Sequence, residues 1–170
     1  MRAAGREVEI VQVSPGNVEA LLSLITELAE FEGLEPPTEE ARERLRHHIT
    51  VSPAPFHAFI AYSDGRAVGY ITYYFTYSTF LAEPTLFLED IYVREKERMQ
   101  GIGGKLFRHC VREAIAKGCG RMEWCALNWN VDAMAFYERQ GARRMDWTFF
   151  RLDRKAMERL EAKEGAARLV

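Results

Sequence analysis

A glycine-rich turn between an apolar strand and an amphipathic helix is the first place where the sequence predicts chemistry. Gly101, Gly103 and Gly104 leave backbone amides unshielded at the start of that helix. Because the unpaired N–H groups and the helix dipole attract negative charge, such a turn suits a pyrophosphate. A nucleotide P-loop would need Gly at 99 and Ser or Thr at 106, and a dinucleotide fingerprint would need Gly at 106. Met99 and Leu106 exclude both motifs, and the simplest alternative is that the glycines only tighten a turn.

The elements around this turn predict a mixed α/β domain. Alternating β-branched residues and helical repeats of apolar residues give the order strand, two helices, three antiparallel strands, then helix, strand, helix, strand. Ser14 and Pro15 are expected to cap and open the first helix. Strands are predicted over 8–13, 56–62, 67–77, 86–93, 121–127 and 145–152, and helices over 15–31, 38–49, from the glycine turn to about 118, and over 132–140.

Two stretches resemble the signatures of the GNAT superfamily of acetyl-CoA-dependent N-acetyltransferases. Arg98-Met99-Gln100-Gly101-Ile102-Gly103 matches the family's pyrophosphate loop, Arg/Gln-x-x-Gly-x-Gly/Ala, at the expected distance behind a strand. The run from Asn130 to Gly141 matches the second signature, Asn-x-x-Ala/Ser-x-x-Phe-Tyr followed by Gly. The resemblance implies the GNAT fold, a twisted and mostly antiparallel sheet flanked by helices, in which a splayed strand pair holds acetyl-CoA.

A narrower likeness covers residues 8–152, which are similar to the spermidine/spermine acetyltransferase subfamily that also contains thialysine acetyltransferases. The chain departs from the polyamine enzymes at Tyr77-Ser78-Thr79-Phe80, which has no acidic residue where those enzymes have one. The choice among a diamine, a polyamine and thialysine therefore stays open.

The resemblance implies acetyl-CoA as the cofactor. The backbone of the strand at 91–93 would pair with the pantetheine arm, and the glycine turn would hold the pyrophosphate. Arg98 is equally consistent with a solvated charge, and Asn130 with an N-cap of the following helix. The implied cofactor-binding residues are Ile91, Tyr92, Val93, Arg98, Met99, Gln100, Gly101, Ile102, Gly103, Gly104, Asn130, Ala133 and Tyr137.

Two residues are implied as catalytic, Glu89 and Tyr137. An alkylammonium with a pKa of about 10.4 must lose a proton before it can attack a thioester, and Glu89 corresponds to the subfamily's base, which acts through water. Tyr137 resembles the general acid that protonates the departing thiolate, although it is also one aromatic among many. Asp90 is expected on the opposite face of the strand from Glu89, in a structural hydrogen bond or in a direct role.

The amine substrate is expected at positions where the subfamily contacts it. Carboxylates and aromatic faces suit an alkylammonium through ion pairing and cation–π attraction. The alternative without a function is that Phe31 packs in the core and that Glu32 and Glu123 are ordinary surface residues. No metal is expected, since His47-His48 has no second pair at ligand spacing. The implied substrate-binding residues are Phe31, Glu32, Glu89, Glu123 and Trp124.

Composition narrows the class of protein. The 170 residues, 48% of them hydrophobic, suit one domain over 1–170 with its core at about 8–153. A net charge of −2 argues against a nucleic-acid binder, and no apolar stretch is long enough for a membrane span or a secretory signal. The three cysteines form no disulfide framework, so a cytoplasmic protein is expected. The low net charge favours a small-molecule ligand, and the family resemblance implies that this ligand is an amine.

The C-terminal region predicts that the chain pairs with a second copy of itself. The relatives pair as homodimers through their C-terminal strand, and Met145–Phe150 is apolar enough for such an edge. Residues 161–170 are expected to be frayed helix or disorder. Two other functions stay open, an acyl-CoA-binding module of the same fold without turnover, and acetylation of a protein or an aminoglycoside.

Overall fold

A computed structural model of the chain describes residues 7–167. The chain divides into two compact units, Met1–Cys125 and Ala126–Val170. The first unit holds the sheet and the glycine turn, and the second holds the Asn130 signature. The expectation of a single domain stays a prediction.

The first unit is built on one five-stranded sheet in the order β1-β2-β3-β4-β5. The first four strands pair antiparallel, and β5 pairs parallel with β4. This mixed, mostly antiparallel sheet confirms the predicted fold class. The strands are β1 Val8–Gln12, β2 His57–Ser63, β3 Arg66–Ser78, β4 Glu83–Val93 and β5 Arg121–Glu123.

Helices follow the order that the sequence predicts, with one addition at the C-terminus. A short 3₁₀ turn, Glu95–Glu97, precedes the helix that follows the glycine turn. In the second unit, residues 154–167 are helical, and residues 168–170 lie outside the described part of the chain. The expectation of a frayed or disordered end stays a prediction. The helices are α1 Val18–Glu32, α2 Glu39–His48, α3 Ile102–Ala116, α4 Val131–Arg139 and α5 Arg154–Ala167.

Helices pack on both faces of the sheet, and successive strand residues point to opposite faces. Ala58 and Ile60 of β2 pack with the apolar stripe of α1, whereas Phe59, between them, contacts His109 of α3 at 4.1 Å between ring centroids. Leu21 and Leu22 of α1 are fully enclosed, so replacing either by Ala would cost about 2–5 kcal/mol. These two layers hold the ends of β4 and α3 in place.

The first helix begins later than predicted. The side chain of Asn17 accepts a hydrogen bond of 2.7 Å from the backbone N–H of Ser14, and residues 15–17 form a turn. The helix starts at Val18, with Asn17 as its N-cap residue. The predicted capping role of Ser14 is therefore wrong, because this side-chain hydrogen bond favours a turn over a first helical turn at Pro15.

Two predicted strands differ in the structure. β5 ends at Glu123, so Trp124 and Cys125 lie beyond it. Residues 145–152 form no strand, and Trp147 and Phe150 are 75% and 86% exposed. A strand needs a neighbour for its backbone groups, and no described residue supplies one to this segment.

Candidate active site

β4 and β5 separate after a short paired stretch, which opens one edge of β4. The parallel pairing runs only from Thr85 opposite Arg121 to Phe87 opposite Glu123. From residue 88 to Val93, no described strand lies on this side of β4. The backbone N–H and C=O groups on that edge can accept an extended ligand as if it were an added strand. This is the splayed pair that the family resemblance implies.

A β-bulge sets the position of Glu89 at the start of this opening. Asp90 lies opposite Thr72 and Leu88 lies opposite Tyr73, so Glu89 is the extra residue. Bulges re-aim a side chain and recur beside active sites. Leu88 is 2% exposed, whereas Glu89 is exposed to solvent. The strand thus presents this carboxylate where water can reach it.

Tyr74 lies near both Glu89 and Cys125, and neither Tyr74 nor Cys125 is among the site residues that the sequence predicts. Burial raises the pKa of Tyr74, and the nearby charges of Glu89 and Cys125 raise it further. Cys125 is exposed just after β5 ends, where β4 and β5 diverge. Register could have predicted the place of Tyr74, but the position of Cys125 depends on where β5 stops.

Asp90 has a different environment from Glu89. The Thr72 hydroxyl donates a 2.8 Å hydrogen bond to the Asp90 carboxylate and accepts one of 3.2 Å from the Asp90 backbone N–H. Burial raises the pKa of Asp90, and the hydroxyls of Thr72 and Tyr70 oppose that rise. Of the two predicted readings of Asp90, the structural hydrogen bond is observed.

A second carboxylate from α1 lies near Asp90. Burial raises the pKa of Glu32, and the charge of Asp90 raises it further. Tyr70 is fully enclosed, and its hydroxyl, which no hydrogen bond of good geometry satisfies, faces this pair. The sequence predicted Glu32 as a substrate contact but gave no signal for the grouping with Tyr70, because that depends on how α1 packs on β3.

The glycine turn has the geometry of an anion cradle. Met99 and Gly101 both take left-handed backbone conformations, with φ of 61° and 80°. Gly101 is the N-cap residue of α3 and no side chain caps the first helical turn, so its amides are available to an anion. The Gln100 side chain instead turns back to Glu97, at 3.3 Å. The loop therefore fits a pyrophosphate bound by main-chain N–H groups.

Arg98 contacts the protein on three sides. Its Nε donates a 3.0 Å hydrogen bond to the carbonyl of Val93, the last residue of β4. Its guanidinium carbon lies 4.8 Å from the ring centroid of Phe31 and 6.0 Å from that of Tyr92. The side chain thus links the glycine turn, the end of β4 and the end of α1. A phosphate contact by Arg98 stays a prediction.

The remaining predicted substrate residues of the first unit lie around β5. Glu123 forms a 3.0 Å ion pair with Arg121, in which both side chains are more than a third exposed. Trp124 packs edge-on against Phe107 of α3, at 5.4 Å between centroids. The two side chains are therefore held by this unit's own strand and helix.

The second unit carries Asn130 and Tyr137. The Asn130 side chain accepts a 3.2 Å hydrogen bond from the backbone N–H of Ala133, which confirms the predicted N-cap. Tyr137 lies on the last part of α4, with its ring 5.4 Å from that of Phe136 in an edge-on arrangement. Just after the helix, Gly141 has a φ of 91° and the N–H of Ala142 bonds to the carbonyl of Tyr137. The second signature thus forms a short helix that is capped at both ends.

Among the described side chains, those of residues 7–162, no group of three or more His, Cys, Asp or Glu could hold a metal ion. His47 and His48 lie exposed at the end of α2. In the same range, no helix is both long and apolar enough to cross a membrane.

Comparisons with known proteins agree with this geometry. Residues 19–142 match the model of the acetyltransferase (GNAT) family. The chain is 34% identical over 156 residues to a thialysine N-epsilon-acetyltransferase of Caenorhabditis elegans, covering 89% of this chain and 96% of the relative.

Two solved structures share the fold. An integron cassette protein from the mobile metagenome of V. cholerae superposes with a TM-score of 0.78 at 24% identity, covering 92% of this chain and 99% of that one. The aminoglycoside N-acetyltransferase AAC(6')-Iy, solved in complex with CoA, superposes with a TM-score of 0.74 at 21% identity, covering 91% and 99%.

Proposed function

The chain belongs to the acetyltransferase (GNAT) family, whose members use acetyl-CoA, and we propose that it transfers the acetyl group to a primary amine of a small cationic substrate. The observation that carries this proposal is the uncapped first turn of α3 beside the open edge of β4. Together they offer main-chain donors for a pyrophosphate and a strand edge for an amide-containing arm. Acetyl-CoA carries both groups.

The cofactor would be held mostly by main chain. The pantetheine arm pairs with Ile91, Tyr92 and Val93, and the pyrophosphate binds the amides of the loop from Met99 to Gly104. A backbone N–H of β4 polarises the thioester carbonyl, which is the place where negative charge develops during the reaction. Asn130, Ala133 and Tyr137 complete the cofactor site by the family resemblance.

The chemistry would be direct attack in a ternary complex. Glu89, acting through water, removes a proton from the substrate ammonium, and the amine nitrogen attacks the thioester carbon. The C–N bond forms as a tetrahedral intermediate, a second proton leaves the nitrogen, and the C–S bond breaks. Tyr137 donates a proton to the departing thiolate and regains one from solvent. The products are the amide, coenzyme A and one released proton.

The substrate would be a small amine with additional positive charge. Support comes from Glu32, whose pKa is raised by burial and by the charge of the nearby Asp90, and from the aromatic side chain of Phe31, the residue before Glu32 on α1. Glu123 and Trp124 would contact the same molecule. A thialysine acetyltransferase is among the relatives, so lysine-like amines are the first candidates, with diamines and polyamines next.

The protein would act in the cytoplasm as a homodimer. Its three cysteines are unpaired thiols, as expected of a protein from a reducing compartment. Residues 145–152 would form their strand against a second copy, since Trp147, Phe149 and Phe150 are all more than two-thirds exposed. Sedimentation of the wild-type chain and of a Trp147→Asp, Phe149→Asp double variant would test the dimer. We expect a dimer for the first and a monomer for the second.

Release of free thiol from acetyl-CoA tests the activity. Thialysine, lysine, ornithine, putrescine, spermidine and an aminoglycoside are supplied in turn, and the acetylated product is identified by mass. We expect turnover with at least one lysine-like or diamine substrate. Binding of acetyl-CoA without thiol release from any amine would instead favour a binding module, and turnover of the aminoglycoside alone would contradict the proposed substrate class.

A further inference from the structure

A cationic groove lies between α3 and the edge strand β1. It is an open depression of about 340 Å³, lined by Lys105, Arg108 and Arg112 of α3 and by Val8 and Ile10 of β1. We call it the α3–β1 groove. Its cationic residues recur three and four positions apart, which places them on one face of the helix. None of the three forms an ion pair with a carboxylate among the side chains that the structure describes, those of residues 7–162. Its positive charge is therefore not neutralised by that part of the chain.

The guanidinium of Arg108 reaches back to the first turn of α3. A Cβ atom at Gly104 would lie 3.4 Å from one of its terminal nitrogens. This direction is typical of helical side chains, which lean toward the N-terminus. Gly104 thus leaves room for the Arg108 side chain beside the loop that holds the pyrophosphate. Lys105, in the same first turn, lies on the same face.

We propose that the α3–β1 groove binds the 3′-phosphate of coenzyme A, with Arg108 and Lys105 as its ligands. The inference rests on the use of acetyl-CoA by this chain. Coenzyme A carries a second phosphate on its ribose, separate from the pyrophosphate. Neutral main-chain amides can bind the pyrophosphate, whereas a terminal phosphate dianion is bound most strongly by the charged side chains of Lys and Arg. Val8 and Ile10 add an apolar floor for the nucleoside.

The three cations are expected to contribute unequally. Arg108 lies six residues beyond Ile102, or about 9 Å along the helix, which is within reach of a nucleotide anchored at the first turn. Arg112 lies another turn away, at about 15 Å, and would act only through its longer-range charge. Arg108 should therefore matter most to affinity and Arg112 least.

Calorimetry with coenzyme A and with 3′-dephospho-coenzyme A tests the proposal without any turnover. The wild-type protein should bind coenzyme A about tenfold more tightly than the dephospho form, as expected for charge-assisted bonds at an exposed site. Arg108→Ala should reduce that ratio to less than about threefold by weakening coenzyme A alone. Arg44→Ala, which removes an exposed arginine of α2, should leave the ratio unchanged.

Two results would overturn the proposal. One is equal binding of both ligands by the wild-type protein. The other is an Arg108→Ala variant that weakens both ligands equally or neither. Circular dichroism of each variant shows whether α3 is intact. Failure of the wild-type protein to bind either form would instead contradict the proposed function, so the two failures can be told apart.

Discussion

The guanidinium of Arg98 lies over the ring of Phe31, 4.8 Å from its centroid, while the same side chain holds the carbonyl of Val93. Val93 ends the strand whose edge is open to the cofactor, and Phe31 lies in the last turn of α1, beside Glu32. One side chain therefore connects the expected cofactor site with the expected amine site. We therefore propose that Arg98 positions both sites.

Replacing Arg98 by Lys should weaken both sites. Lys keeps the positive charge but loses the planar group that stacks on Phe31 and the Nε donor to Val93. Affinity for coenzyme A should fall about tenfold, and the KM for the amine should rise by a similar factor, from one lost hydrogen bond and one lost cation–π contact. Calorimetry and steady-state kinetics measure the two effects.

Phe31→Leu separates the two contacts of Arg98. It removes the ring and leaves the hydrogen bond to Val93, so the KM for the amine should rise while coenzyme A affinity stays within about twofold. An Arg98→Lys variant with unchanged affinity for coenzyme A would contradict the positioning role, and would indicate that residue 98 acts on a phosphate through its charge alone.

Sequence patterns predicted this part of the molecule well because the constraints there are local. A glycine turn before a helix and an apolar strand ahead of it follow from backbone conformation and periodicity. The partners of Arg98 could not be predicted, since they depend on where α1 ends above the sheet. The bulge at Glu89 was equally hidden, because it is a property of the β3–β4 register.

Replacing Glu89 by Gln should remove the proposed base while preserving its shape. We expect kcat/KM to fall about 10²- to 10⁴-fold near neutral pH, the usual contribution of a general base. The loss should shrink as pH rises toward the pKa of the amine, because more substrate then arrives already deprotonated. A pH series of thiol release measures this, and a loss that is the same at every pH would contradict a base role.

Asp90→Asn is the matched control for Glu89→Gln, since it changes the neighbouring carboxylate on the same strand. The Asp90 carboxylate accepts a hydrogen bond from Thr72 inside the protein, whereas Glu89 is exposed. Because the Asn amide oxygen can still accept the Thr72 hydrogen bond and carries no buried charge, Asp90→Asn should keep or raise the melting temperature, and Glu89→Gln should leave it unchanged. Any loss of kcat/KM in Asp90→Asn should be the same at every pH, unlike the loss expected for Glu89→Gln.

Tyr137→Phe tests the proposed general acid. The ring and its edge-on contact with Phe136 are retained, and only the hydroxyl is lost. We expect kcat to fall about 10²-fold with coenzyme A affinity within about twofold of wild type. A substrate with a better thiol leaving group than coenzyme A should recover part of the rate, because such a thiolate needs less protonation. Full activity in the variant would remove Tyr137 from the mechanism.

Sequence patterns gave wrong predictions for strands whose formation depends on a neighbouring strand that is distant in the sequence. Residues 145–152 alternate and are rich in aromatics, as strands are, but they form none among the described residues. β5 was predicted to be longer than three residues, and it stops where it separates from β4. Both errors come from reading propensity without knowing which edge is available.

The layer between α3 and the sheet should make stability depend on pH. Burial lowers the pKa of both His57 and His109, and the charge of Glu113 opposes this shift at both. The charge of Lys117 lowers the pKa of His57 further, and the charge of Arg112 does the same for His109. His57 stacks on Tyr73, and His109 packs on Phe59, so both rings favour the neutral form. A histidine with a lowered pKa binds fewer protons when folded than when unfolded. Its contribution to stability is therefore intact above the ordinary histidine pKa of about 6.5 and is lost as pH falls below it.

We expect the free energy of unfolding to be flat between about pH 7 and 8 and to fall from about pH 6.5 to 5.5. Denaturant titrations across this range measure it, and they should stop above the region where carboxylates titrate, because the raised pKa values of Asp90 and Glu32 act with the opposite sign. His57→Phe and His109→Leu should each flatten the slope, since they remove the titrating group and keep an apolar side chain. His48→Asn, at the exposed end of α2, should leave it unchanged. An unaltered slope in the His57→Phe, His109→Leu double variant would show that these two rings do not control acid stability.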